Sequence, residues 1–244
     1  MFTKLIINTP LNQFDQLSDS INFEDIINGR KGANLVDYFD GLIPIIRTTT
    51  NYIQPNQKFQ QIHYEIIKMI KVISKIEDLD FNNAMVEIYD SQYRTMKFHS
   101  DQALDLADDS YICIFSCYNE CDNNNIRKLK TKNKTTNECL DITMDHNSVI
   151  IFSTETNKNH VHKIVLETKS NNKWLGITFR LSKTFIKFID QVSYFHPTDK
   201  ILRMANDEEK KEFRKSKGIE NIKIGYDYPD WDYTLSISDL IPIK

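Results

Sequence analysis

The stretch Met96-Lys97-Phe98-His99-Ser100-Asp101 decides how the chain is interpreted. In an extended strand, side chains two positions apart point to the same side of the backbone. The imidazole of His99 and the carboxylate of Asp101 therefore share one face. They are two candidate ligands of a metal site, and a third ligand must come from another part of the chain.

His160 and His162 are the candidates for the third ligand, because they follow the apolar run 149–152 after a short polar loop. Both lie on the same side of a strand-like segment. Two neutral imidazoles and one carboxylate on one face of Fe(II) leave coordination positions open for a bidentate 2-oxo acid and dioxygen. An isolated His-x-Asp pair is common by chance, so the prediction depends on the surrounding strands.

Short apolar segments separated by polar loops follow one another through the middle of the chain. They predict strands at 84–89, 95–100, 110–118, 147–153, 161–167 and 173–181. The two longest gaps are an acidic loop at 102–109 and a polar segment rich in Asn and Lys at 119–137. Several short strands of this kind are typical of a sandwich or barrel, so the predicted fold class is mainly β with flanking helices.

The flanking parts predict fewer regular elements. Apolar residues recur at intervals of three and four over 57–76, which predicts an amphipathic helix after Pro55. Residues 1–30 predict one strand at 4–8 and otherwise irregular or helical pieces. The remaining predictions are a strand at 42–47 with Pro44 at an edge, a helix at 184–192, a charged helix at 207–216, and an aromatic-rich tail at 226–233 that folds back as a cover.

Composition indicates one domain with a sizeable core, since the chain has 244 residues of which 40% are hydrophobic and 27% are charged. The formal charge of -3 excludes a global attraction to nucleic acid, so any basic surface must be local. No apolar run could span a bilayer, and residues 1–7 have no cleavage site. An intracellular protein, cytoplasmic or nuclear and without a membrane partner, is expected. Reduced thiols fit this expectation better than a zinc site for Cys113, Cys117, Cys121 and Cys139.

Together these motifs resemble those of the Fe(II)- and 2-oxoglutarate-dependent dioxygenases, and most of all the AlkB-like group. The segment Trp174-Leu175-Gly176-Ile177-Thr178-Phe179-Arg180 resembles the AlkB-like strand that ends in Thr-Phe-Arg, and Arg180-Leu181-Ser182 fits the Arg-x-Ser signature of other dioxygenases. The resemblance implies a double-stranded β-helix, or jelly roll, over residues 81–182. An N-terminal extension at 1–80 and a C-terminal extension at 183–244 would complete a single domain.

The resemblance also implies site residues. It implies His99, Asp101 and His162 as ligands of Fe(II), and the spacing from the strand at 147–153 favours His162 over His160. Arg180 is implied as an anchor for 2-oxoglutarate. Tyr89 resembles the tyrosine that hydrogen-bonds this co-substrate, although it also suits a core position. Ser182 is either a co-substrate ligand or the N-cap of the predicted helix at 184–192.

Two departures from the AlkB-like pattern are visible. The group usually has a further arginine at the position of Trp174, so either Arg180 alone binds the distal carboxylate of 2-oxoglutarate or Lys173 helps. In addition, the group's Gly-rich turn before the His-x-Asp strand is replaced by residues 90–94. This second departure counts against placing the chain in the nucleic-acid-repair branch of the group.

The implied reaction is hydroxylation of a C–H bond with dioxygen and 2-oxoglutarate as co-substrates. Candidate substrate-binding residues are Tyr93, Arg94 and Lys97 beside the metal site and Lys128 and Lys130 in the basic stretch 127–134. This basic stretch could bind phosphates, or it could be a solvated loop. Three hypotheses therefore stay open: an AlkB-like enzyme that demethylates a nucleobase, a hydroxylase of protein side chains, and a non-catalytic binding module with the same fold.

Overall fold

The computed structural model describes residues 1–9, 13–120, 126–168 and 171–243. Within these ranges, strands outnumber helices. The strands are β1 (Thr3–Ile6), β2 (Glu24–Ile27), β3 (Arg30–Val36), β4 (Ile43–Pro44), β5 (Gln57–Lys58), β6 (Asn83–Tyr89), β7 (Tyr111–Tyr118), β8 (Lys128–Asn133), β9 (Cys139–Thr143), β10 (Ser148–Ser153), β11 (His160–Val165), β12 (Trp174–Arg180), β13 (Phe185–Ile189), β14 (Val192–His196), β15 (Arg203–Met204) and β16 (Tyr233–Thr234). The helices are α1 (Gln13–Ser20), α2 (Gln61–Ser74), α3 (Thr154–Asn159) and α4 (Asp207–Glu220).

Two sheets form the core of the fold. The larger has the strand order β1-β10-β7-β12-β6-β3-β2, with β5 beside β3, and the smaller has the order β11-β8-β9. An extended segment before His99 lies along β11 through the bridges Thr95–Val165 and His99–His162. From β6 to β12 the chain therefore passes back and forth between the sheets. This antiparallel alternation is that of a double-stranded β-helix, and the predicted jelly roll is confirmed.

Most of the predicted strands match observed ones, namely β1, β6, β7, β10, β11 and β12. The segment at 95–100 is extended but is held by isolated bridges rather than by a regular ladder. The segment at 119–137 contains β8 in its described part, where Leu129 and Thr131 are buried between lysines. Cys121 lies outside the described residues.

The helix predicted at 184–192 is wrong, because these residues form the hairpin of β13 and β14. Asp190 and Gln191 have φ angles of 49° and 66°, and they make the two-residue turn that joins the strands. Ile186 is buried and pairs with Ile43 of β4 and with Phe195 of β14. Strand pairing and this turn thus override the apolar spacing that suggested a helix.

The N-terminal part is more regular than predicted. Residues 1–30 contribute β2 and α1 in addition to β1, and β3 pairs with β6 to extend the larger sheet. The strand expected at 42–47 shortens to β4. In the C-terminal part, the charged helix is present as α4, and Trp231 and Tyr233 of the aromatic tail pack on Phe213 of this helix. No helix in the described ranges is long and apolar enough to cross a membrane.

Helix α2 covers the outer face of the larger sheet, as its apolar stripe predicts. Ile66 and Ile70 are fully buried in one cluster with Phe115 of β7 and Ile177 of β12. The helix begins at Gln61 rather than at 57, because β5 pairs in parallel with β3. The opposite face of the larger sheet is thereby left to the smaller sheet and to the cavity described below.

Ile66→Ala should destabilise the protein by about 2–5 kcal/mol, because it leaves a cavity between α2 and the larger sheet. The free energy of unfolding, measured by urea denaturation, checks this expectation. Val72→Ala on the same helix is the matched control, since Val72 is 69% exposed. A similar loss for both variants would contradict the packing described for α2.

Candidate metal centre

His99, Asp101 and His162 meet where the segment at 95–101 runs beside β11. The backbone N–H of His99 donates to the carbonyl of His162 at 3.0 Å, and the N–H of His162 donates to the carbonyl of His99 at 2.7 Å. One potential ligand atom from each of the three side chains lies within 4.8 Å of the other two. The structure thus brings together the three side chains that were predicted as ligands.

The imidazoles are oriented for coordination. Nδ1 of His99 lies 3.0 Å from the carbonyl oxygen of Lys97, so a proton on Nδ1 leaves the lone pair of Nε2 free. Nε2 of His162 lies 3.5 Å from Oδ1 of Asp101. Burial, with the nearby His162, lowers the pKa of His99 to about 3, which keeps this imidazole in the neutral form that binds metals.

The Asp101 carboxylate is buried and paired with Arg180, whose Nε donates to Oδ2 at 2.6 Å. Burial opposes ionisation of Asp101, but the positive charge of Arg180 and a hydrogen bond with His162 outweigh it. The pKa of Asp101 is therefore held well below its usual range. This side chain presents a negatively charged oxygen to the two imidazoles.

The backbone of Asp101 is fixed by Asn157 of α3, a residue with 1% exposure. The side-chain Oδ1 of Asn157 accepts from the N–H of Asp101 at 2.7 Å, and its Nδ2 donates to the carbonyl of Asp101 at 2.7 Å. One amide group therefore satisfies both backbone groups of a candidate ligand. These two hydrogen bonds take the place of the regular strand pairing that the segment at 95–101 lacks.

The C-terminal end of α4 holds the same segment from the other side. Lys217 donates to the carbonyl of Ser100, and Asn221 accepts from the N–H of Ser100 at 2.9 Å. Glu220 accepts from the N–H of Ala103 at 2.8 Å. A helix outside the jelly roll thus fixes the backbone on both sides of Asp101.

A cavity of about 260 Å³ opens beside the three side chains. Its wall on the larger sheet includes Glu87, Tyr89 and Arg180. Lys97 and Thr49 are exposed, which places the open side of the cavity next to them.

An unpredicted cluster of charged and aromatic side chains lies on the sheet wall of this cavity. Nε of Arg30 donates to Oε1 of Glu87 at 2.6 Å, and the hydroxyl of Tyr89 donates to Oε2 of Glu87 at 2.5 Å. Glu87 could have been found from the sequence, because it shares a strand face with Tyr89. Arg30 could not, because the pairing of β3 with β6 is not visible in local patterns.

Three candidates from the sequence lie outside the lining of this cavity. The hydroxyl of Ser182 donates to the carbonyl of Ile45 at 2.6 Å and accepts from the N–H of Thr184, so it stabilises the turn into β13. Nδ1 of His160 lies 2.9 Å from the carbonyl of Thr156. Lys173 lines a different depression, beside Asp90 and Gly29.

The candidate substrate residues separate into two groups. Tyr93 and Lys97 line the cavity, whereas the guanidinium of Arg94 donates to the carbonyls of Leu166 and Glu167. Lys128 and Lys130 lie on β8, where both pair with Glu167 at 2.7 and 2.5 Å. Lys130 also pairs with Asp141 at 3.1 Å, so two carboxylates of the chain itself balance these two lysines.

Among the solved structures similar to this chain is one described as "The structure of OsALKBH1". The superposition has a TM-score of 0.49 at 13% sequence identity, and it covers 74% of this chain and 97% of that chain. No protein-family model and no curated protein matches the sequence. The jelly-roll assignment follows from the strand order of this chain itself.

Proposed function

We propose that this chain is an Fe(II)- and 2-oxoglutarate-dependent dioxygenase that hydroxylates a C–H bond of its substrate. The observation that carries the proposal is the convergence of His99, Asp101 and His162 beside a cavity of a jelly roll. Two imidazoles and one carboxylate are the donor set of non-haem Fe(II) oxygenases. The donor chemistry fits, since His99 is neutral and Asp101 is ionised.

In this proposal, His99, Asp101 and His162 hold Fe(II), and Arg180 and Tyr89 face the co-substrate. When bound, Fe(II) would activate dioxygen, which is the oxidant: one oxygen atom would oxidise 2-oxoglutarate to succinate and carbon dioxide, and the other would be inserted into the C–H bond. The chain's own residues orient the ligands: the carbonyl of Lys97 fixes the ring of His99, and Asn157 fixes the backbone of Asp101. Tyr93 and Lys97 lie where a substrate would enter.

Addition of Fe(II) and 2-oxoglutarate under anaerobic conditions tests the proposal. We expect the charge-transfer absorption of the chelated co-substrate in the wild-type protein and none in His99→Ala. His160→Ala is the matched control, because His160 precedes His162 on β11 but lies outside the cavity, and it should keep the absorption. A wild-type protein that binds neither Fe(II) nor 2-oxoglutarate would instead be a non-catalytic module of the same fold.

The finer proposal is oxidative demethylation of a methylated nucleobase, as in the AlkB-like group that the sequence resembles. Tyr93 supports it, because an aromatic ring at the cavity can stack on a base. Lys97, exposed beside the cavity, offers a positive charge to a phosphate. On this proposal, succinate release should depend on a methylated oligonucleotide and should fall as salt concentration rises.

Hydroxylation of a protein side chain is the second candidate. The ion pairs of Lys128 and Lys130 with Glu167 favour it, because they leave less positive charge for a nucleic-acid backbone. Succinate release with peptide substrates should then vary little with salt. Lys128→Gln/Lys130→Gln tests whether these two lysines take part in nucleic-acid binding, since it should weaken oligonucleotide binding only if they contact phosphates.

A further inference from the structure

Arg30 differs in its partners from the other cations that line the cavity in the described residues. Arg180 is paired with Asp101, and Lys217 is held by the carbonyl of Ser100 and by Glu220. Lys97 is exposed at the open side. Arg30 has a side-chain exposure of 16% and lies on the sheet wall without contacting a candidate metal ligand. Arg30 is itself paired with Glu87, but it lies on the cavity wall apart from the candidate metal ligands, so a carboxylate bound in the interior can reach it.

Strand register explains how a residue of β3 reaches this wall. Arg30 pairs with Tyr89, and Tyr89 pairs with Trp174, so the three residues occupy one row across β3, β6 and β12. The ring of Trp174 folds over Gly176, where an added Cβ would lie 2.0 Å from the indole. At this end of the sheet, β12 therefore contributes the indole ring of Trp174. The positive charge in the same row is that of Arg30 on β3, two strands away.

The contacts of Arg30 leave donors for a ligand. A guanidinium has five N–H donors, and Oε1 of Glu87 accepts from Nε and Nη2 of Arg30. The ring of Tyr93 lies beside Arg30, with its centroid 5.7 Å from the guanidinium carbon. Because the hydroxyl of Tyr89 occupies the other oxygen of Glu87, the acidic side chain holds one edge of the guanidinium and leaves the remaining donors for a second carboxylate.

We infer that Arg30 anchors the distal carboxylate of the 2-oxo dicarboxylic acid and that Glu87 is its positioning residue. This inference rests on the proposed function, because it assigns a subsite of the same cavity. It specifies the co-substrate class as a 2-oxo acid with a second carboxylate. Arg180 then pairs with Asp101 and faces the 2-oxo end of the co-substrate.

Two co-substrates separate this role from a structural one. 2-Oxoglutarate and 2-oxopentanoate have the same chain length, but only 2-oxoglutarate has a distal carboxylate. Anaerobic titration of the Fe(II) protein, followed by charge-transfer absorption, gives a Kd for each. The wild-type protein should bind 2-oxoglutarate at least about 10-fold more tightly, since hydrogen bonds to charged groups are strong.

Arg30→Met should weaken binding of 2-oxoglutarate by about 10- to 100-fold and leave the Kd for 2-oxopentanoate unchanged. This substitution leaves Glu87 buried and unpaired, so Arg30→Met/Glu87→Gln repeats the test without the unpaired charge. Arg30→Lys keeps the charge but loses the planar fork, and it should give an intermediate Kd. Arg203→Met is the matched control, because Arg203 pairs with Glu209 and Asp232 away from the cavity.

The outcomes are distinguishable. If the folded double variant keeps the wild-type preference for 2-oxoglutarate, the role of Arg30 is wrong and the dioxygenase proposal stands. If the wild-type protein binds 2-oxopentanoate more tightly, the role of Arg30 and the dependence on 2-oxoglutarate are both wrong, and only an Fe(II) site that binds 2-oxo acids remains. A wild-type protein that shows charge-transfer absorption with neither acid overturns the dioxygenase proposal itself. Circular dichroism of each variant confirms that a lost signal reflects binding and not unfolding.

Discussion

Asp101→Ala should lose both Fe(II) binding and about 3–5 kcal/mol of folding stability, because the substitution leaves Arg180 buried without its partner. Removal of one of three protein ligands should weaken metal binding by more than about 100-fold, beyond the usual effect of losing a residue that only supports a ligand. Metal titration followed by calorimetry measures the first effect, and urea denaturation of the metal-free protein measures the second.

His162→Ala is the comparison that separates the two effects. It removes a candidate ligand but leaves the ion pair of Asp101 with Arg180 in place, so it should lose metal binding with a smaller loss of stability. Equal stability losses for the two variants would contradict the importance of this ion pair. Wild-type metal affinity in both variants would exclude the proposed metal centre.

The same ion pair predicts a pH dependence of stability. The pKa of Asp101 is depressed in the folded protein, so its contribution is fully present above the unfolded value of about 3.9 and is lost as pH falls toward the folded value. The stability difference between the wild-type protein and Asp101→Ala should therefore shrink below about pH 4. Denaturation at pH 7 and at pH 3 checks this expectation.

Asn157→Ala should weaken Fe(II) binding by about 10- to 100-fold although Asn157 is not a candidate ligand. Its amide holds both backbone groups of Asp101, and without it these groups are buried and unsatisfied, at a cost of about 1–3 kcal/mol each. The carboxylate would then lose its fixed position relative to the two imidazoles. Metal titration of the folded variant measures the change.

Asn159→Ala is the control for Asn157→Ala. Asn159 lies on the same helix, but its side chain bonds only to Glu155 in the described part of the chain. Its replacement should leave metal affinity unchanged. A loss of affinity in both variants would point to α3 as a whole rather than to the amide of Asn157.

The β-rich fold class and the pair of His99 and Asp101 could be predicted because their signals are local, whereas the jelly roll and the complete ligand set came from the resemblance of the motifs to those of known dioxygenases. His99 and Asp101 share a strand face by spacing alone, and the apolar runs that became β7, β10 and β12 are separated by polar turns. The hairpin of β13 and β14 could not be predicted in the same way. Its apolar residues also fit a helix, and two residues with positive φ angles decide between the alternatives.

The residues that support the site were missed for a different reason. Arg30, Asn157 and Lys217 reach the cavity or the ligand segment only through contacts between distant parts of the sequence. Arg30 depends on the pairing of β3 with β6, and Lys217 depends on the docking of α4. Neither contact leaves a periodic pattern in the sequence. Among the residues that were missed, Glu87 had a local signal, namely its position two residues before Tyr89.

The hydrogen bonds from the C-terminal end of α4 to the segment at 99–103 affect the order in which the metal centre can form. Lys217 and Asn221 lie 117 and 121 residues after Ser100, the residue whose backbone they fix. During synthesis, the two candidate ligands His99 and Asp101 therefore leave the ribosome long before the helix that secures them. On the proposed function, metal capture should then follow the docking of α4, because the backbone around Asp101 is not held in place before that step.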